Sequence, residues 1–156
     1  MYSDADAAAL YDHLNPWGPS DDFYLSCVMA APSVLDVGCG TGMLLHRACE
    51  LGHSGRLCGV DPDGAALARA RRRGDVEWVQ GTAAEMAWDR EFDLAVMASN
   101  VFQVFVTDED LRAALAATRA ALVAGGHIAR GRRDRRHRER PAQRVEQVVR
   151  AHRSLV

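Results

Sequence analysis

The chain contains no lysine, so all 19 of its cations are arginine. It has no apolar run near the roughly 20 residues that a membrane-crossing helix needs. The opening Met-Tyr-Ser-Asp-Ala-Asp is acidic, without the basic and then apolar regions of a secretory signal. Cysteine is scarce and scattered: Cys27, Cys39, Cys49 and Cys58 include no C-x-x-C pair. They read as reduced thiols of a cytoplasmic protein, neither a disulfide framework nor a zinc site. The six histidines share no ligand spacing, so no metal is expected.

The remaining composition is that of a globular protein. With 156 residues, 48% hydrophobic and 26% charged, the chain can bury a core, which excludes wholesale disorder. The net charge of -2 conceals an asymmetry. Residues 1–126 hold 9 Arg against 18 acids, whereas residues 127–156 hold 10 Arg against 3 acids. The acidic body argues against nucleic acid as a main partner, and only the Arg-rich tail has the electrostatics for one.

The hydrophobic period changes along the chain. Ala7, Leu10, Tyr11 and Leu14 fall at helical spacing, and Asn15-Pro16-Trp17-Gly18-Pro19 breaks that helix. A second helix, capped by Ser20, should run to Ala31 and stop at Pro32. Short buried strands follow at 33–37, 57–61, 76–79 and 92–97, and helices at 42–51, 63–73 and from Thr107 to the Gly125-Gly126 pair. His127-Ile128-Ala129 begins a fifth strand. Strands alternating with helices over short connections imply a mostly parallel sheet with helices on both faces, a three-layer α/β/α sandwich of Rossmann-like type. Ligands of such sheets bind at the carboxyl ends of the strands, where strand order reverses.

One segment carries most of the chemistry. In Asp36-Val37-Gly38-Cys39-Gly40-Thr41-Gly42, three glycines at alternate positions follow a buried strand and open a helix. Glycine lets the backbone turn tightly and lets a ligand approach closely. A dinucleotide fingerprint needs G-x-G-x-x-G, but the spacing here is G-x-G-x-G and position 43 is Met. Asp36, two residues before the first glycine, repels phosphate and suits a cationic or zwitterionic ligand, which disfavours a nicotinamide oxidoreductase. A second acid, Asp61, ends the next strand in Gly59-Val60-Asp61-Pro62-Asp63. A carboxylate there can accept hydrogen bonds from both hydroxyls of a ribose; capping of the following helix is the competing role.

Residues 34–42 followed by Gly-Val-Asp-Pro-Asp resemble the class I S-adenosylmethionine-dependent methyltransferases of the small single-domain type, over roughly residues 10–129. The resemblance implies that Gly38, Cys39, Gly40, Thr41 and Gly42 pass under the methionine part of the cofactor. It implies that Asp36 helps hold the amino group, that Asp61 binds the ribose and that Pro62 packs near the adenine. Thr82 stands where the family often has an adenine-binding Asp, and Ala83 can still offer its backbone N–H. The end of the fourth strand should face the reacting methyl, with Asn100 a cofactor-binding candidate and Asn100 and Gln103 placed to orient a substrate; stabilising the loop is their competing role. Tyr11 is the candidate for closing over the cofactor from the N-terminal helix. Cys39 near a helix N-terminus has the setting for a lowered pKa. Trp78 and Trp88 read as packing residues. No residue is positioned as a convincing general base.

The expected organisation is therefore an N-terminal helical cap over 1–32, an S-adenosylmethionine-binding domain over 33–129, and an Arg-rich tail over 130–156 that is disordered or helical. The family continues beyond the fifth strand with a helix and an antiparallel pair of strands, which this sequence is expected to lack. The tail has the composition of a GC-rich coding sequence in a shifted frame, with the native frame expected to end near Ala129. The leading expectation is methyl transfer to a small-molecule acceptor. The alternatives are a truncated, catalytically deficient cofactor-binding fragment and a nucleic-acid binder acting through the tail.

Overall fold

A computed structural model describes residues 4–98, 101, 107–132 and 145–150. The described elements are α1 (Asp4–Leu14), α2 (Pro19–Ala30), β1 (Ser33–Val37), α3 (Met43–Glu50), β2 (Arg56–Asp61), α4 (Gly64–Ala70), β3 (Glu77–Gln80), β4 (Phe92–Met97), α5 (Asp108–Ala121), β5 (Leu122–Arg132) and β6 (Val145–Arg150). A short 3-10 turn spans Ala83–Glu85. The strands form one sheet in the order β3-β2-β1-β4-β5-β6. All neighbours are parallel except β5 and β6. The expected Rossmann-like α/β fold is found, and strand order reverses between β1 and β4.

Side-chain alternation along the strands builds a core on each face. Val34, Leu57, Leu94 and Val96 pack with Tyr24 and Val28 of α2 and with Leu45 and Ala48 of α3. On the opposite face, Leu35, Val37, Cys58, Val60, Ala95 and Met97 pack with Ala121 of α5. Trp88 stacks edge-on against Phe92 at the border of this second core. Full burial of one such aliphatic side chain contributes about 1.5–3 kcal/mol, which is why the central strands read as continuous apolar runs.

Three expectations change. The N-cap of α2 is Gly18 with Pro19 in the first turn, because the Asp21 carboxylate reaches back to the Gly18 N–H at 2.8 Å; Ser20 lies inside the helix. Helix α5 ends at Ala121, ahead of Gly125, and Leu122 already pairs with Phe92 in the sheet. Gly125, at φ 81°, lies in an irregular stretch where the β4–β5 register shifts. The third change concerns the tail. The tail over 130–156 is expected to be disordered or helical, but Val145–Arg150 within it is an antiparallel strand that pairs Val149 with Ile128 and Val148 with Ala129. The edge of β5 is thus covered over residues 127–132. An unpaired eleven-residue edge exposes a row of N–H and C=O groups, and a valine-rich segment is suited to satisfy them.

Candidate active site

Three backbone positions shape the turn after β1. Gly38, Gly40 and Gly42 have φ values of 74°, 56° and 81°, all in the left-handed region that side chains disfavour. Their surroundings differ. A Cβ on Gly38 would lie 2.5 Å from Val101 Cγ2, and one on Gly42 would overlap the Trp78 ring. At Gly40 it would meet nothing within 4 Å, since this residue faces open space. Gly38 and Gly40, but not Gly42, line a cleft of about 930 Å3 at the carboxyl ends of β1 and β2.

Asp61 ties the cleft together. Its Oδ2 accepts from the Gly40 N–H at 2.8 Å and its Oδ1 from the Asp63 N–H at 2.8 Å. The helix-capping role falls to Asp63, whose Oδ1 accepts from the N–H groups of Ala65 and Ala66. Asp61 is therefore no helix cap, and each of its oxygens keeps acceptor capacity for a ligand. The carboxylate lines the cleft beside Pro62, Thr82 and Ala83. Thr82 donates its hydroxyl hydrogen to Glu85 at 2.8 Å, so the oxygen lone pairs remain available.

Asp36 and Cys39 stand behind the cleft wall. Asp36 is almost fully buried, and burial, reinforced by the Asp61 carboxylate, pushes its pKa up to about 7. Cys39 packs its side chain with Leu67, Ala70 and Trp78. Burial and then the neighbouring carboxylates of Asp36 and Asp61 raise its pKa far above the ordinary thiol value. The expectation of a lowered thiol pKa is overturned: proximity to a helix end is outweighed by desolvation and two nearby acids. Trp78 does pack, as expected, and anchors its indole N–H on the Arg73 carbonyl at 2.9 Å.

Helix α1 roofs one side of the cleft with Ala7 and Ala8, and Asn15 follows at its end. Asp12 links this helix to the rest of the site. It accepts from the Thr41 hydroxyl at 2.6 Å and pairs with Arg69 of α4 at 3.3 Å. Tyr11 lies on α1 with its side chain outside the described residues, and Asn100 and Gln103 also fall outside them. Sequence reading missed Asp12, Asn15, Gly81, Val101 and Asp110 as site residues. Only Asp12 carried a local hint, its place beside Tyr11; the others reach the cleft by long-range packing.

The described cleft wall includes Asp61, Asp63 and Asp110 and no arginine or histidine. Such a wall offers nothing to neutralise a pyrophosphate, and it attracts cations. Among the described residues, no group of His, Cys, Asp and Glu could hold a metal.

A glycine turn and a strand-tip carboxylate at the switch point of a parallel sheet define a nucleoside-binding Rossmann-like protein. A family model described as a methyltransferase domain matches residues 34–126, and the chain belongs to that family. The resemblance drawn from the glycine segment therefore holds. The cypemycin N-terminal methyltransferase of a Streptomyces species is 34% identical over 97 residues, covering 60% of this chain and 39% of the relative. The 2-phytyl-1,4-naphtoquinone methyltransferase of Thermosynechococcus vestitus is 38% identical over 90 residues, covering 49% of this chain and 40% of the relative. The chain thus spans about two fifths of the length of these curated relatives. Among solved structures, an S-adenosylmethionine-bound amino pentose methyltransferase from Micromonospora echinaspora superposes with a TM-score of 0.67 at 26% identity, covering 83% of this chain and 56% of that one.

Proposed function

We propose that this chain binds S-adenosylmethionine in the cleft and serves methyl transfer to a small-molecule acceptor. The observation that carries the reading is the Asp61 carboxylate, held by the Gly40 and Asp63 N–H groups in a cleft wall that has no cation among the described residues. The cleft volume of about 930 Å3 lies at the upper end of the usual range for small-molecule sites, about 300–1,000 Å3. The residues fit a zwitterionic sulfonium nucleoside and do not fit a dinucleotide.

When bound, S-adenosylmethionine supplies a methyl group on an activated sulfonium, open to in-line displacement. The chain then contributes binding and orientation. Asp61 accepts from the ribose hydroxyls. Gly38 and Gly40 let the backbone lie against the ligand, and Thr82 and Ala83 offer an acceptor and a donor to the adenine edge. Asp36 acts through charge: a cation above the loop draws its carboxyl toward the ionised form. Positioning of two reactants can account for up to about 7–11 kcal/mol of a barrier, so a displacement of this kind needs no protein nucleophile. Cys39, buried and protonated, takes no part. Small-molecule acceptors agree with the names of the naphtoquinone and amino pentose relatives. The four free thiols fit a reducing, cytoplasmic compartment. No described helix is long and apolar enough to cross a membrane.

Calorimetric titration with S-adenosylhomocysteine tests this reading. Saturable binding is expected, weakened about tenfold or more by Asp61→Ala, a loss of at least about 1.4 kcal/mol. Folded protein that ignores this nucleoside and takes up NAD refutes the proposal.

A further inference from the structure

A second groove, distinct in charge from the cleft, lies between α1, α3 and α4. Arg47 of α3, Arg69 of α4, and Arg72 and Arg73 from the turn after α4 line a space of about 350 Å3, with Asp12 and Glu50 as the acids in its wall. Those acids are already engaged: Asp12 by Thr41 and Arg69, and Glu50 by Arg47 at 3.2 Å. Arg73 is paired with Asp75, which is outside the groove. Two donors remain. Arg72 is exposed and has no ion pair among the described residues. The Nε of Arg69 is shielded from solvent and has no hydrogen-bond partner among them. A buried guanidinium N–H without an acceptor is costly to leave unmade.

We propose that this groove binds a small multiply charged oxyanion of the phosphate class. One carboxylate is saturated by a single guanidinium fork, whereas guanidiniums converging from two helices suit an anion with acceptors on several sides. The volume is near the lower end of ligand pockets, about 300–1,000 Å3, which suits a phosphate or diphosphate group and not an extended strand. The same chemistry is presented by free inorganic phosphates and by the phosphate end of a small metabolite. The site is independent of the methyl-transfer reading, but it shares Arg69 with the Asp12 contact that ties α1 to the glycine loop. Occupancy therefore competes with Asp12 for the same guanidinium.

The test is calorimetric titration of the full chain with inorganic diphosphate and with ribose 5-phosphate at constant ionic strength, set by sodium chloride. Saturable binding of at least one probe is expected. Tighter binding of diphosphate points to the inorganic source, and tighter binding of ribose 5-phosphate to a phosphorylated metabolite. Arg72→Ala, at an exposed position, should weaken binding about fivefold or more. Arg71→Ala, a neighbour outside the groove wall, should change it less than about twofold. Asp12→Asn removes an acid from the wall and should tighten binding about twofold or more. The proposal is overturned if neither probe saturates, if Arg72→Ala binds as tightly as the parent, or if Arg71→Ala loses as much as Arg72→Ala.

Discussion

Asp36 is the residue at which burial and charge conflict most. Its pKa, raised to about 7 first by burial and then by Asp61, keeps it protonated in the folded chain where the unfolded chain has already ionised. The unfolded carboxyl titrates near about 3.9. Between these values the folded state binds the extra proton, so Asp36 lowers stability as pH rises from about 4 to about 7 and has no further effect above that. Asp36→Asn should remove this dependence. Urea midpoints at about pH 5 and about pH 8 should show the parent losing stability relative to the variant as pH rises. Parallel profiles would contradict the burial argument. Asp36 was legible as an acid beneath the loop; its protonation was not, because desolvation depends on everything packed around it.

At the scale of elements, the glycine turn and α1 illustrate opposite degrees of legibility. The turn is local. Alternate glycines after a buried strand encode positive φ in the sequence itself. Gly42→Ala combines that strain, at φ 81°, with displacement of the Trp78 ring, and should destabilise the fold by about 2–4 kcal/mol in urea titration. Gly40→Ala, with open space before it, should cost about 1–2 kcal/mol in stability but reduce binding of S-adenosylhomocysteine. If both variants lose equal stability and binding, the distinction between a packing glycine and a ligand-facing one fails. The placing of α1 depends on contacts across 29 and 57 residues, from Asp12 to Thr41 and to Arg69. Local periodicity cannot announce such pairings, so Tyr11 was singled out and Asp12 was missed. Loss of these bonds in Asp12→Ala should raise amide exchange throughout α1 without a comparable change in β1 or β2.

At the scale of the whole molecule, the decisive contact is between β5 and β6. The strand order of β3, β2, β1, β4 and β5 follows from alternating strand and helix patterns and right-handed connections. The antiparallel addition of Val145–Arg150 does not follow from those rules. An isolated segment of that composition reads equally well as a helix. It is a strand because the edge of β5 offers unpaired backbone groups, which outweigh a weak local preference. Val149→Pro removes one valine side chain and one backbone N–H from β6, at the position opposite Ile128. Light scattering should then show concentration-dependent association through the uncovered β5 edge. A variant that stays monodisperse, with β5 amides still protected from exchange, would show that β6 contributes little to the edge.

The sequence by itself determined the α/β class, the glycine turn, the strand-tip acid and the family, because each is written in neighbouring residues through backbone sterics and hydrophobic period. Tertiary structure alone decided that Asp36 is buried, that the Cys39 thiol is enclosed in packing, that Asp63 and not Asp61 caps α4, and that arginines of two helices share a groove. Those outcomes depend on which distant surfaces exclude water from one another, and desolvation is a property of the assembled fold that no short stretch of chain contains.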